Sequence, residues 1–315
     1  MIHLRVVAPP TVAEPAYRVL REHPSAVNIV RLRDVAKQPD GDLILCDVAS
    51  EDASVVVVAL RELGIERDGS IALESISALV SDAARRAEQA AVGSPADAVV
   101  WETVEDQTSE SAELSFSFLV FMALATMIAA LGIIQDSLIL IIGAMVVGPE
   151  FGPLAGLSVA LVQRQRDLAR RSLRALAVGF PVGIAFAFAL TLLLRTVDSA
   201  PELLTPVSRP ATLFISHPDE YSVLVALLAG TAGALSLTTA KSGALVGVLI
   251  SVTTIPAAGN VGVAAAYGDW SEVGGAAAQL AVNVVCIVTA VVVTLSLQRR
   301  LYQRRLRRET REPDS

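Results

Sequence analysis

Charge, aromatic rings and sulfur are all scarce in this chain of 315 residues: charged residues make up 18%, aromatics 4%, and there are two cysteines and three histidines. Cys46 and Cys286 are too few and too far apart for a disulfide framework or a metal cluster, and both read as inert buried thiols. His3, His23 and His217 stand isolated, with no HExxH pair, no GxSxG elbow and no phosphate-binding loop. No enzyme, cofactor or metal site is therefore expected. A charged segment leading into a long apolar run is also missing at the start, where Ile2 to Val7 is already β-rich, so a cleaved signal peptide is not expected.

Apolar residues fill the space left, at 53% with a mean hydropathy of +0.57, beyond the usual soluble range. The charges are unevenly placed. Through Glu113 there are 10 Lys/Arg against 20 Asp/Glu, a balance of −10, whereas the remainder has 15 against 12, or +3. An acidic front half lacks the basic face that phosphates require, which excludes nucleic acid as a partner.

Residues 1–76 read as a cytoplasmic α+β module. A strand at Ile2 to Val7 precedes a helix whose start carries Thr11 and Glu14 at capping-box spacing and whose end is His23-Pro24. Strands follow at Ala26 to Leu32 and Asp42 to Val48 around a Pro39-Asp40-Gly41 turn. Ser50 is placed to cap a helix from Glu51 to Leu63 ending at Gly64, and a strand near Ser70 to Leu73 completes the order βαββαβ, the ferredoxin-like pattern. Residues 77–113 form a connecting helix over 77–92, a Gly93-Ser94-Pro95 hinge and an acidic, solvated linker.

Residues 114–298 offer six stretches long enough to cross a bilayer: 116–134, 137–163, 175–195, 221–239, 243–267 and 274–297. Five arginines, Arg164, Arg166, Arg170, Arg171 and Arg174, crowd the link between spans two and three, and seven more fill the basic tail of 299–315. Both regions belong inside, along with Lys241, while the 197–220 loop, with Arg209 alone, and the 268–273 turn belong outside. This places a multi-pass protein in the plasma membrane with both termini cytoplasmic. The tail also meets anionic lipid heads.

Span two, SLILIIGAMVVGPEFGPLAGLSVALVQ, is interrupted by Pro149 and Pro153, each of which removes a backbone donor and clashes with the preceding turn. Freed backbone groups are tolerated at membrane depth only within protein or beside a wet cavity. Glu150, between the prolines, is the one acid placed in the middle of a span, where charge is expensive. Gly148, Gly152 and Gly156, with Ala144 and Ala160, make a small-residue stripe suited to close helix packing or to ligand approach. Span five repeats these features in Gly243, Gly247, Ser251, Thr253, Thr254, Pro256 and Asn260, and laying Pro153 on Pro256 gives an offset of 103 residues. Two three-span halves joined in this way would be inverted repeats with breaks in corresponding spans, the architecture of many secondary transporters.

The segments QDSLILIIGAMVVGPEFGPLAGLSVAL and NVGVAAAYGDW, with Asn283 in LAVNVVCIV, resemble the uncharacterised hydrophobic-domain family known as domain of unknown function 389. The front segments RVVAPP and GDLILCDVA are similar to those of its actinobacterial members. The resemblance implies a membrane architecture and no particular substrate; many members carry an apolar residue where Glu150 stands, so it implies no shared role for that carboxylate.

Three readings follow. The first is a secondary transporter or channel-like permease moving an unknown small solute or ion, with Glu150 as a cation or proton site and Pro149, Gly152, Pro153, Thr253, Thr254, Pro256 and Asn260 along its path. Against it stand plainer roles: Glu150 reaching water at a re-entrant turn or bonding to freed backbone, and the threonines bonding to their own helices. Asn283 is assigned to helix packing and Asp136 to a solvated cap. The second reading is a membrane-anchored small-ligand sensor or scaffold. The third, an intramembrane enzyme, has no motif behind it. The bilayer and a second copy of the chain complete the candidate partners.

Overall fold

The structure, a computed structural model, describes residues 1–91, 99–202, 209–238 and 254–309. The chain divides into two compact units, one holding Met1–Val104 and the other most of the chain from Glu105 onward.

The first unit is built on β1 (Ile2–Ala8), α1 (Ala13–Glu22), β2 (Ala26–Lys37), β3 (Asp40–Val48), α2 (Ala53–Glu62), a one-turn α3 (Ile65–Asp68) and β4 (Ser70–Ser75). Its four strands form one antiparallel sheet in the order β2-β3-β1-β4, with Leu4 paired to Cys46 on one side and Leu73 on the other. Alternation decides the sheet's inner face: Ile2, Leu4, Val6 and Ala8 of β1 are all buried, as are Ile44, Cys46 and Val48 of β3. Leu20 of α1 and Val56, Val57 and Leu60 of α2 belong to the same core. Each fully buried Leu or Ile there stabilises the unit by about 1.5–3 kcal/mol. Burial, and after it the neighbouring Asp47 charge, pushes the Cys46 thiol up to about 12, so this cysteine is unreactive.

Both expected N-caps are corrected. α1 begins after Val12 and α2 after Asp52, neither with a side-chain cap. The backbone supplies the closure instead: the Pro9 carbonyl accepts from Val12 and Ala13, and the Ala49 carbonyl from Asp52. Ser50 turns away to accept a hydrogen bond from the Met1 amino group at 3.0 Å. Gly64 takes a left-handed conformation, φ 79°, that ends α2 and starts α3. The connecting helix is shorter than expected, α4 (Asp82–Ala90), because Ser81 caps it by accepting from the Ala84 amide. The Gly93-Ser94-Pro95 hinge lies outside the described residues.

The acidic stretch is also corrected. Rather than a solvated linker it is a helix, α5 (Trp101–Ser111), with Val104, Thr108 and the following Ala112 buried. In the second unit follow α6 (Phe116–Ile134), α7 (Leu138–Val147), α8 (Phe151–Gln163), α9 (Arg166–Thr196), a 3-10 turn at Leu213–Ser216, α10 (Glu220–Thr238), α11 (Thr254–Tyr267) and α12 (Trp270–Glu309). Ser115 caps α6 by accepting from Phe118 at 3.1 Å.

Among the described residues four helices, α6, α9, α10 and α12, are long and apolar enough to cross a membrane, and the bent pair α7 and α8 makes a fifth if counted as one span. At 1.5 Å per residue the 19 residues of α6 reach about 28 Å, close to a hydrocarbon thickness of about 30 Å. Large apolar side chains point outward along these helices, with Phe116 and Ile139 each 83% exposed, as a surface meeting lipid requires. Span three is longer than expected, since the arginine-rich link is itself the first part of α9. Of span five, residues from Thr254 onward are described; Lys241, Gly243, Gly247, Ser251 and Thr253 lie outside the described residues. Cys286 is half-buried, not enclosed as expected.

Candidate functional site

The break in span two is real and short. α7 ends at Val147, α8 starts at Phe151, and the two helix axes differ by 51°. Of the two prolines, Pro149 alone sits in the break, where its ring cannot share space with the carbonyl of the preceding turn. Pro153 does not kink the helix as expected: it is the third residue of α8, a position whose amide has no partner inside a helix anyway.

Thr254 and Pro256 lie in α11, 103 residues after Phe151 and Pro153 of α8.

Glu150 is 3% exposed, and its Oε1 accepts a hydrogen bond from the Thr254 hydroxyl at 2.6 Å. Its Oε2 is buried with no hydrogen-bond partner among the described residues. The other oxygen of Glu150 lies against Gly148, where a β-carbon would also meet Ile255 Cγ1 at 2.5 Å. Gly148 is glycine because the carboxylate and Ile255 fill the volume a side chain would need.

The rest of the stripe serves a second purpose. A β-carbon at Gly152 would stand 2.7 Å from the Ser111 carbonyl oxygen, and one at Gly156 would stand 2.8 Å from Ser172 Oγ and 3.0 Å from Ala112 Cβ. The small residues of α8 therefore let the end of α5 and the α9 helix approach closely.

Beside the break lies a cavity of about 570 Å³. The break contributes Gly148, Pro149, Phe151 and Gly152 to its wall. Gln107, Glu110 and Ser111 of α5, then Glu113 and Ser115, give it a polar and acidic side.

Asn260 is not at this site. It lies nearly two turns along α11, fully buried, where its amide donates to Glu272 Oε1 at 3.1 Å and its carbonyl accepts from Arg209 at 3.2 Å. Arg209 is 4% exposed and ion-pairs with the same Glu272 oxygen. As a lone cation in a loop it carried no sign of this burial; its bonds to Asn260 and Glu272 account for it. Asp136 is likewise more than a solvated cap, since its carboxylate accepts from the Ala211 amide at 3.2 Å, the Thr212 amide at 2.9 Å and the Thr212 hydroxyl at 3.0 Å. Asn283, buried in α12, accepts from Gln279 of the same helix at 3.4 Å.

Of the expected path residues, then, Pro149, Glu150, Gly152 and Pro153 lie at the span-two break, Thr254 and Pro256 lie in α11 with Thr254 bonded to Glu150, and Asn260 belongs to a separate polar cluster.

Residues 145–289 match the family described as "Domain of unknown function (DUF389)", and the match takes in the break, α11 and Asn283. Over 198 residues the chain is 25% identical to an uncharacterised protein of Methanocaldococcus jannaschii, an alignment covering 63% of this chain. It spans 59% of the length of that curated relative. No solved structure matches the chain.

Proposed function

We propose that this protein is a secondary transporter or channel-like permease whose solute path runs past the Glu150–Thr254 pair. One observation carries the reading: a buried carboxylate with one oxygen lacking a partner among the described residues stands in the break of a membrane-length helix pair, hydrogen-bonded to a residue of another helix. Such a group is costly to keep among apolar neighbours and marks a pathway by default. Broken helices in corresponding places are where transporters of inverted-repeat architecture hold their cargo. On this reading the chain has six spans in two inverted halves, and no enzymatic step is involved.

The arginine distribution places the 164–174 link and the basic tail on the cytoplasmic side of the plasma membrane, with both termini inside. The first unit, with its βαββαβ order and β2-β3-β1-β4 sheet, is then a cytosolic regulatory module of ferredoxin-like type. The Arg209–Asn260–Glu272 cluster, about 9 Å along α11 from Thr254 at 1.5 Å per residue, closes the path toward the outer turns.

The test is solute flux by the full chain in liposomes across a pH series. Glu150→Gln keeps an acceptor for Thr254, so the protein assembles while pH-dependent flux is abolished or uncoupled; unchanged flux reduces Glu150 to a structural part. A membrane-anchored sensor is the second reading, favoured by the separate compact first unit. Deleting residues 1–95 separates the two. Lost flux with retained folding makes the module a gate of a permease, whereas a chain that never shows flux but binds a metabolite through the module is a sensor.

A further inference from the structure

We infer that the exposed arginine face at the start of α9 is a docking surface for anionic phospholipid headgroups. The inference rests on α9 crossing a membrane and is independent of transport.

Depth is the first observation. From Arg174 to Arg195, the next charged residue of α9, the helix rises about 31 Å at 1.5 Å per residue. That matches a hydrocarbon thickness of about 30 Å. Arg195 marks one edge of this layer, because its guanidinium lies over the Tyr267 ring, 4.5 Å from the centroid, and tyrosine gathers at membrane interfaces. Arg174 then stands at the other edge, and Arg170, one turn further out, lies about 6 Å beyond it. The headgroup layer on each side is about 5–8 Å deep, so Arg170, Arg171 and Arg174 share the depth of the lipid phosphates.

Direction is the second observation. At 3.6 residues per turn, Arg170 and Arg174 fall on the helix stripe that continues through Ala177, Pro181 and Phe188, all exposed. This is the stripe that meets lipid. Ser172, on the opposite side of the helix, is buried against Gly156 of α8, where the end of α5 also packs. The arginine stripe therefore points away from the acids at the end of α5.

The guanidiniums are also available. Among the described residues Arg171 and Arg174 form no ion pair, and Arg170 pairs with Asp167 at 3.6 Å, both side chains more than three-quarters exposed. Such an exposed pair is worth little, whereas a guanidinium matches a phosphate with two parallel hydrogen bonds. The first arginine of the tail is engaged elsewhere: Arg299 Nη1 donates to the Val162 carbonyl near the end of α8 at 2.8 Å. A phospholipid fits better than a soluble anion because Leu173, 52% exposed, stands among the arginines. An acyl chain covers that side chain while the phosphate meets the charge.

The test is the association of spin-labelled phosphatidylglycerol and phosphatidylcholine with the full chain in phosphatidylcholine liposomes, read from the motionally restricted fraction. Phosphatidylglycerol should be preferred by about threefold or more. The preference should shrink in about 1 M salt, where the Debye length is about 3 Å. Joint Arg170→Gln, Arg171→Gln and Arg174→Gln should remove more than about half of it, and truncation after Leu301 should remove less than about half. If the triple variant fails to assemble, Arg174→Gln alone should still lower the preference by about a third. Equal association of the two lipids, a preference that outlasts these substitutions, or one that goes with the tail overturns the proposal. Full displacement of phosphatidylglycerol by inorganic phosphate at matched ionic strength also overturns it, by making the occupant a free anion.

Discussion

The Thr254 hydroxyl donates to Glu150 Oε1 at 2.6 Å across 104 residues of chain, joining the residue just before α8 to a residue of α11. Both partners are buried, so the bond is made where water cannot replace it. Its consequences for stability are separable from those for transport.

Removing the donor should cost more than neutralising the acceptor. Thr254→Ala leaves both carboxylate oxygens of Glu150 buried and unpaired, which is expected to destabilise the protein by about 1–3 kcal/mol. Glu150→Gln keeps a carbonyl to accept from Thr254 and gives up a buried charge, so its melting temperature in detergent should equal or exceed that of the parent. Thermal melts of the two variants side by side decide the order, and a less stable Glu150→Gln would contradict it.

The glycines of span two are unequal. Gly148→Ala would drive a β-carbon into the carboxylate and Ile255, and Gly152→Ala into the Ser111 carbonyl, whereas Gly143→Ala meets nothing within 4 Å. Overpacking at the first two is expected to cost about 1–3 kcal/mol, while Gly143→Ala should be neutral or gain up to about 1 kcal/mol in helix propensity. Monodispersity after heating would rank the three.

Arg209 and Glu272 should behave as a buried couple. Arg209→Met leaves the Glu272 carboxylate without its cation and is expected to cost about 3–5 kcal/mol. Arg209→Met combined with Glu272→Met should recover most of this. If the double variant is as unstable as the sum of the single ones, the pair is not coupled, and the Arg209–Asn260–Glu272 cluster holds by packing alone.

In the first unit Glu51 works against folding at neutral pH. Neither of its buried oxygens receives a hydrogen bond from another residue, and burial above all pushes its carboxyl above the usual range, with its own amide offsetting part. The folded state therefore binds the proton more tightly than the unfolded state. Stability should rise as pH falls through the folded value toward the ordinary 4.5. Glu51→Gln removes this dependence: the variant should be the more stable at pH about 7.5, with the gap closing toward pH about 4.5. A gap that is constant with pH would show that the carboxylate is satisfied at neutral pH.

Asp42 has the opposite sign. Burial works to raise its carboxyl, but the Asp34 amide at 2.9 Å and the Arg31 guanidinium at 2.8 Å together hold it below the ordinary range. Its contribution is present above the unfolded value and is lost as pH falls through the folded one, so Asp42→Asn should destabilise most near neutral pH and least in acid. Chemical denaturation at several pH values checks it.

Several features of this protein were legible in the sequence because local rules govern them. Alternation placed β1 and β3, Gly64 ended α2, and apolar length gave the bounds of α6 to the residue. Pro149 announced the break, since no neighbouring residue can restore the amide it lacks. The same local logic failed for the caps at Thr11 and Ser50, where backbone carbonyls had already taken the amides. It failed too for the acidic stretch, whose helix owes its buried face to neighbours.

What tertiary structure alone decided is which polar groups meet. Spacing put Glu150 and Thr254 in separate helical segments, and the packing of those segments brought the Thr254 hydroxyl within reach of the carboxylate. Arg209, Asn260 and Glu272 come from a loop and two helices and share one buried cluster. Periodicity fixes which face of a helix is apolar, but the partner of a buried polar atom is set by distance in space, and that depends on how every helix between them packs.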